Sequence, residues 1–342
     1  GCAGDEFTVT VRVESEPVVA DQSLTVCSEE TSGIDFNSSS TVSAATYNIT
    51  NLELNGLTVS AGNAAVSNGL TAADLADDAF TNTTNGAIDV VYTVVPITAG
   101  GCQGDAFTIT VTVNPEPVIA DKIATLICSG ETFKVVPMQG VDGDNVPVGT
   151  TYTWTRSNIA GISNPAANGS GAVSETLTNT SPNPIVVNYV YTLTANGCTN
   201  QQTISVTIDP LPIASFSIGG PRADCGPTSR TMINSSSVNS NPLTNGTFTW
   251  GIDILRNGGA VPVYSLINTN YTTQVNYTFT NTGIRDSLYP ITLTAKSPNG
   301  CINTYRDTIT VHPDARIDLT IGTTAACAPF NAINSLNVVN KT

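Results

Sequence analysis

The sequence predicts an all-β chain built as a tandem series of two-sheet sandwiches, and three observations carry that prediction. A Gly-Cys pair returns at Gly1-Cys2, Gly101-Cys102, Gly197-Cys198 and Gly300-Cys301, a period of roughly one hundred residues, which is the size of one small domain. After each pair comes an alternating run: FTVTVRV from Phe7, FTITVTV from Phe107, TISVTI from Thr203 and TITV from Thr308. Such period-two alternation predicts half-buried strands. Thr, Ser, Asn, Val, Gly and Pro dominate and only 11% of residues are charged, a composition that favours short strands and turns over helices.

Each alternating run ends at a proline joint: Glu16-Pro17, Pro115-Glu116-Pro117, Pro210-Leu211-Pro212 and His312-Pro313. Proline stops a ladder and stiffens the connection, so these joints divide the chain. The division runs 1–15 (last strand of a preceding repeat), 16–114, 115–209, 210–312, and 313–342 (start of a following repeat). Both ends are thereby expected to fall inside a repeat.

Within each unit further signals recur in order. A second cysteine follows the joint in LTVCSEE, TLICSGE, ADCGPT and AACAPF, at Cys27, Cys128, Cys225 and Cys327. An aromatic pair recurs in ATYNIT, TTYTWT and GTFTWG, placing Tyr47, Tyr152 and Phe248 in register with Ile49, Trp154 and Trp250. FTNT, LTNT and FTNT follow at Phe80, Leu177 and Phe279 and lead into VYTVV, VYTLT and YPITLT, the penultimate strands. The run GLTAADLADDAF predicts one helical turn in the first unit. About seven short strands with a core tryptophan match an immunoglobulin-like sandwich of about 90 to 100 residues.

A hydrophobic fraction of 40% over 342 residues is enough for packed cores. The net charge of −15, with only 12 Lys and Arg, argues against nucleic acid as a partner, because phosphate binding needs clustered cations. No run of 18 apolar residues is present, so this segment is not expected to insert into a membrane.

The combination of Cys-x-Pro before a strand, TYTWT in the middle, YTLTANGC near the end and TVNPEP as joint resembles the PKD-like repeats of Bacteroidetes surface proteins. The likeness covers essentially the whole chain and is strongest to the giant gliding-motility adhesins. One departure stands out: the usual PKD tryptophan precedes Asp-Phe-Gly-Asp-Gly, whereas Trp154 precedes Thr155-Arg156 and Trp250 precedes Gly251-Ile252. The resemblance implies type IX export, a place on the outer face of a Gram-negative outer membrane, and use as a filament in attachment or gliding. Expected partners are the neighbouring repeats, with surface polysaccharide or an outer-membrane anchoring protein beyond them. The rival functions are a carbohydrate-binding module and spacer repeats of a secreted hydrolase.

No catalytic site, cofactor or metal is expected. The single histidine, His312, lies at a joint where sibling repeats carry Glu14, Asn114 and Asp209, the pattern of a linker residue. Acid clusters at Asp74, Asp77 and Asp78 and at Asp142, Asp144 and Asn145 lack EF-hand spacing and predict solvated loops. Trp154 and Trp250 share a core register. Asp286-Ser287-Leu288 and Asp307-Thr308-Ile309 resemble the Asp-Ser/Thr-aliphatic sequence of Bacteroidetes O-glycosylation, which makes Thr308 and Ser287 candidate acceptors. Thr308 is expected to face solvent, while Ser287 is expected at a turn.

Eight cysteines in fixed register predict a disulfide framework. One scheme pairs them within a domain: Cys27 to Cys102, Cys128 to Cys198 and Cys225 to Cys301. Strand direction favours another. The second and sixth strands of an immunoglobulin-like sandwich run the same way, so a cysteine before one and a cysteine after the other lie at opposite ends. The early cysteine then meets the late cysteine of the next domain, giving Cys27 to Cys198 and Cys128 to Cys301 and leaving Cys2, Cys102, Cys225 and Cys327 for domains beyond. A first strand that turns back early would restore the within-domain scheme.

Overall fold

Alternation of apolar residues with Thr and Ser dictates strands, and the computed structural model is almost wholly β. It describes residues 1, 4–36, 42–120, 125–141, 143–256, 259–314, 317–321 and 336–340. The first domain contains β1 (Gln22–Cys27), β2 (Thr46–Glu53), β3 (Thr58–Ala61), β4 (Ser67–Leu70), α1 (Ala72–Ala76), β5 (Ala79–Thr81), β6 (Ile88–Ile97) and β7 (Phe107–Asn114). The second contains β8 (Thr125–Cys128), β9 (Thr132–Val135), β10 (Thr151–Arg156), β11 (Ala167–Ser170), β12 (Val173–Thr176), β13 (Ile185–Ala195) and β14 (Cys198–Asp209).

The third contains β15 (Phe216–Ile218), β16 (Ala223–Cys225), β17 (Thr228–Asn234), β18 (Ser237–Val238), β19 (Asn241–Pro242), β20 (Thr247–Arg256), β21 (Gly259–Asn268), β22 (Gln274–Phe279), β23 (Ser287–Lys296) and β24 (Ile302–His312). Beyond them β25 (Ile317–Ile321) pairs antiparallel with β26 (Leu336–Asn340).

One sheet layout recurs three times. Its orders are β1-β7-β6-β2-β4, β8-β14-β13-β10-β11 and β16-β24-β23-β20-β21. In each, the first strand lies parallel to the last, and the last forms an antiparallel hairpin with the penultimate. A smaller second layer faces it: β3 with β5, β9 with β12, and β15-β17-β22.

The cores follow from the alternation. In β7, Phe107, Ile109, Val111 and Val113 are buried while the threonines between them are not. Phe80, Leu177 and Phe279 from the second layer are fully buried, with Phe80 and Phe279 edge-on to the penultimate-strand tyrosines Tyr92 and Tyr289. Trp250 and Trp154 are both buried, and Trp154 meets Tyr189 edge-on at 5.7 Å. Gly169 makes room for it, because a Cβ there would stand 2.7 Å from the indole.

The helical turn forms where the sequence placed it. Thr71 caps it, Asp74 closes the capping box, and Leu75 is buried beneath.

Residues 7–13 depart from their sequence-based expectation of a half-buried strand. They lie in no strand, and Phe7, Val9, Val11 and Val13 are 86%, 70%, 76% and 89% exposed. Among the described residues none offers them a ladder, and an isolated strand leaves its backbone groups to water.

Two acids correct another expectation. Asp78 and Asp144 are buried rather than solvated. Asp78 accepts the Tyr92 hydroxyl at 2.8 Å and the Asn63 N–H at 3.0 Å. Asp144 accepts the N–H groups of Ala120 and Met138, both at 3.0 Å. A buried carboxylate stands where backbone donors would otherwise be unpaired. Asp142 lies outside the described residues.

Candidate functional site at the domain joints

The parallel pairing of first and last strands fixes where the cysteines go. Cys27 lies opposite Asn114, the final residue of β7, and Cys128 lies opposite Asp209, the final residue of β14. Cys198 opens β14, so Cys128 and Cys198 stand at opposite ends of a twelve-residue strand, on the order of 36 Å apart. A disulfide tolerates at most about 7 Å between Cα atoms, which excludes the within-domain bond. Across the joints the distances fit. Cys27 is bonded to Cys198 and Cys128 to Cys301, each pair with Cα atoms 5.6 Å apart.

The early cysteines are held by a local motif, Cys-Ser-x-Glu. Glu30 accepts the Cys27 N–H and Glu131 the Cys128 N–H. Ser28 Oγ accepts the N–H of Asn82, and Ser129 Oγ that of Asn179, both at 2.9 Å. Those asparagines form a recurring corner that sequence reasoning missed. Asn82 Nδ2 donates to the carbonyls of Gly86 and Val113, Asn179 Nδ2 to those of Asn183 and Ile208, and Asn281 Nδ2 to those of Arg285 and Val311. Each ties the corner before the penultimate strand to the end of the last strand. The signal was present as the Asn of FTNT, LTNT and FTNT, which recurs just before the penultimate strand in all three units.

The strand-end residue grips the next domain beside each bridge. Asn114 Nδ2 donates to the Asn196 carbonyl at 3.0 Å. Asp209, buried, accepts from Ser297 Oγ at 2.5 Å and Asn299 Nδ2 at 2.9 Å. A third contact completes each joint: Asn145 Nδ2 donates to the Thr84 carbonyl at 3.2 Å, and Asn239 Nδ2 donates to that of Ser181. At the first joint burial, then the charges of Glu29 and Glu30, push the Glu116 carboxyl up. The second joint encloses a cleft of about 250 Å³ bordered by Asp209, Pro210, Leu243 and Pro298.

Cys102 and Cys225 are unbonded thiols, Cys102 half-buried and Cys225 exposed opposite His312. Cys2 and Cys327 lie outside the described residues. His312 closes β24, with Nδ1 at 2.8 Å from Asp286 Oδ1 in an exposed pair. Thr308 is exposed on β24, beside an Asp307 that is paired with Arg222. Ser287, expected at a turn, instead opens β23 opposite Val311 and is half-buried, because the corner ends one residue earlier. Among the described residues no group of three or more His, Cys, Asp or Glu is placed to hold a metal ion. No helix there is long and apolar enough to cross a membrane.

Residues 24–117 and 125–212 match the PKD-like domain family, and the two matches together cover more than half of the chain. The chain belongs to the PKD-like domain family. No curated protein matches the sequence. Similar solved structures include the titin I-band fragment I67-I69, at 10% identity over 89% of this chain and 100% of that one, with a TM-score of 0.33. Drosophila OTK extracellular domains 3-5 follow at 10%, 88% and 98%, with 0.32. Chicken CNTN1 domains FN1-FN3 give 9%, 65% and 78%, with 0.31. The two matched PKD-like domains and the third, which shares their sheet order, form a tandem all-β array of immunoglobulin-like sandwiches. Disulfides persist in oxidising compartments, so PKD-like domains clamped in this way mark an extracellular segment of structural or adhesion type.

Proposed function

We propose that this chain is a stalk segment of a long secreted adhesin, one that transmits force between a cell surface and a distant contact and catalyses nothing. The observation that carries this reading is that both joints among the three domains are covalently closed and gripped by a strand-end side chain. A hinge that must not bend needs a second covalent strut, and a bridge beside a proline joint is one. A catalytic or binding module has no such need.

The same reading places the parent protein on the outer face of a Gram-negative outer membrane, exported by the type IX route and serving attachment or gliding. Thr308, exposed on its strand, and Ser287 are its candidate O-glycan acceptors. An in-frame deletion of residues 16–312 from the parent gene tests the stalk. Shortened surface filaments with ligand binding retained are expected. Loss of ligand binding, together with glycan-array binding by the isolated segment, would establish a carbohydrate-binding module instead.

A further inference from the structure

We infer that Cys102 takes a third inter-domain disulfide, formed with a cysteine that ends the first strand of another PKD-like sandwich, whose own last strand is residues 7–13 of this chain. The inference deepens the stalk reading and rests on its tandem geometry.

Residues 7–13 repeat the alternation of β7 residue for residue, with Phe7, Val9, Val11 and Val13 in the places of Phe107, Ile109, Val111 and Val113. The β7 residues are at most 3% exposed, whereas their counterparts are at least 70% exposed. An apolar row of that spacing is a sheet face without its sandwich.

The end of this segment lies beside the same turn position that the strand ends of the closed joints contact. In the two closed joints the strand-end residue grips the residue two positions before the late cysteine: Asn114 on Asn196, and Asp209 on Asn299. Glu14 stands at the equivalent strand end, and its carboxylate lies against Gly100, two positions before Cys102, so closely that a Cβ there would collide with it. The strand end and the Cys102 turn therefore lie side by side, as they do in the closed joints.

Cys102 also sits in the turn of the bonded Cys301. Thr98 N–H donates to the Cys102 carbonyl at 3.0 Å, and the Cys102 N–H to Thr98 Oγ1 at 3.1 Å. Ser297 N–H donates to the Cys301 carbonyl at 2.8 Å, and the Cys301 N–H to Ser297 Oγ at 3.0 Å. In both closed joints the reaching cysteine lies across a parallel pair from the strand-end residue. The partner of Cys102 accordingly ends a strand laid parallel to residues 7–14, opposite Glu14. Closing the bond joins two sulfurs, releases two protons and passes two electrons to a thiol–disulfide oxidoreductase of the export compartment.

Non-reducing peptide mapping of the full-length native protein, with free thiols alkylated before extraction, tests this. The Cys102 peptide is expected in a bond to a peptide outside residues 1–342 whose cysteine closes the first strand of a PKD-like unit. An alkylated Cys102, or a bond from it to any cysteine of this segment or of a second copy, overturns the inference. In the same protein Val11→Asp, which blocks strand insertion, is expected to free Cys102 for alkylation while Cys198 and Cys301 stay bonded. A Cys102 that stays bonded in that variant also overturns it. Surface filaments of unaltered length with a free Cys102 would sink this bond and leave the stalk reading standing.

Discussion

Cys128 and Cys301 are covalently joined across 173 residues of chain, and Cys27 and Cys198 across 171, so the two loops interlock. Cys128 lies inside the first loop and Cys198 inside the second. The mechanical and energetic behaviour of the array follows from that overlap.

Pulling on the ends should reveal a shunt. Between Cys27 and Cys301 the shortest covalent path crosses both bridges and only the chain from 128 to 198, about 70 residues, or roughly 240 Å when fully extended. Reduction opens the whole path of about 270 residues, roughly 950 Å. Single-molecule extension in oxidising and reducing buffer reads the difference, and equal contour lengths would show that the bridges are not closed in solution.

Replacing Cys128 and Cys301 together by Ser should cost the docked second joint about 2 to 4 kcal/mol, while the Asp209 grip remains. Small-angle scattering is expected to show a wider spread of angles between the second and third domains. The far-UV spectrum should be unchanged, because the strands do not depend on the bridge.

The asparagine corner should matter more than its size suggests. Asn179→Ala removes the donor to the buried Ile208 carbonyl and the donor to the Asn183 carbonyl, both at 2.8 Å, and leaving the buried one unpaired costs about 1 to 3 kcal/mol. Urea unfolding of the second domain should shift accordingly. Asn281→Ala is expected to do the same in the third domain.

Arg156 is buried and forms a two-point pair with Glu175, at 2.7 and 3.2 Å, and Tyr189 donates to the same carboxylate at 2.7 Å. Glu175→Gln keeps the shape but strands the guanidinium charge, an expected loss of about 3 kcal/mol by thermal or chemical unfolding.

Acid should act oppositely on the first two domains. Burial pushes Glu175 up, but the bonds from Arg156 and Tyr189 outweigh it and hold the group below its ordinary value. Its contribution is therefore present above that ordinary value and lost as pH falls through the depressed one. Asp78 is raised, first by burial, against the bonds from Tyr92 and Asn63 and with the charges of Asp77 and Asp74 adding to it. Its contribution is complete below the ordinary aspartate value and lost as pH rises through the elevated one. Amide hydrogen exchange of Val90 and Tyr191 across that acid range reads the two separately. Asp78→Asn should remove the Val90 dependence alone.

Local pattern determined most of this architecture. The 107–113 alternation puts every second residue on one face of its strand, because a pleated strand has a period of two, and that face is the buried one. The Gly-Cys period marks the units, and strand direction alone points Cys27 away from Cys102. Other features depend on what folding brings within reach. Phe7 to Val13 carry the same pattern as β7 and remain exposed, since a strand is completed by a neighbour and not by its own residues. Asp78 and Asp144 look like solvated loop acids until tertiary structure presents them with a tyrosine hydroxyl and backbone N–H groups. The Asn of FTNT recurs once in each unit, but neither that recurrence nor the acid of Asp209 says what the side chain binds. Their partners lie about 30 and 90 residues away, so only the closed sandwich and the closed joint decide what those side chains do.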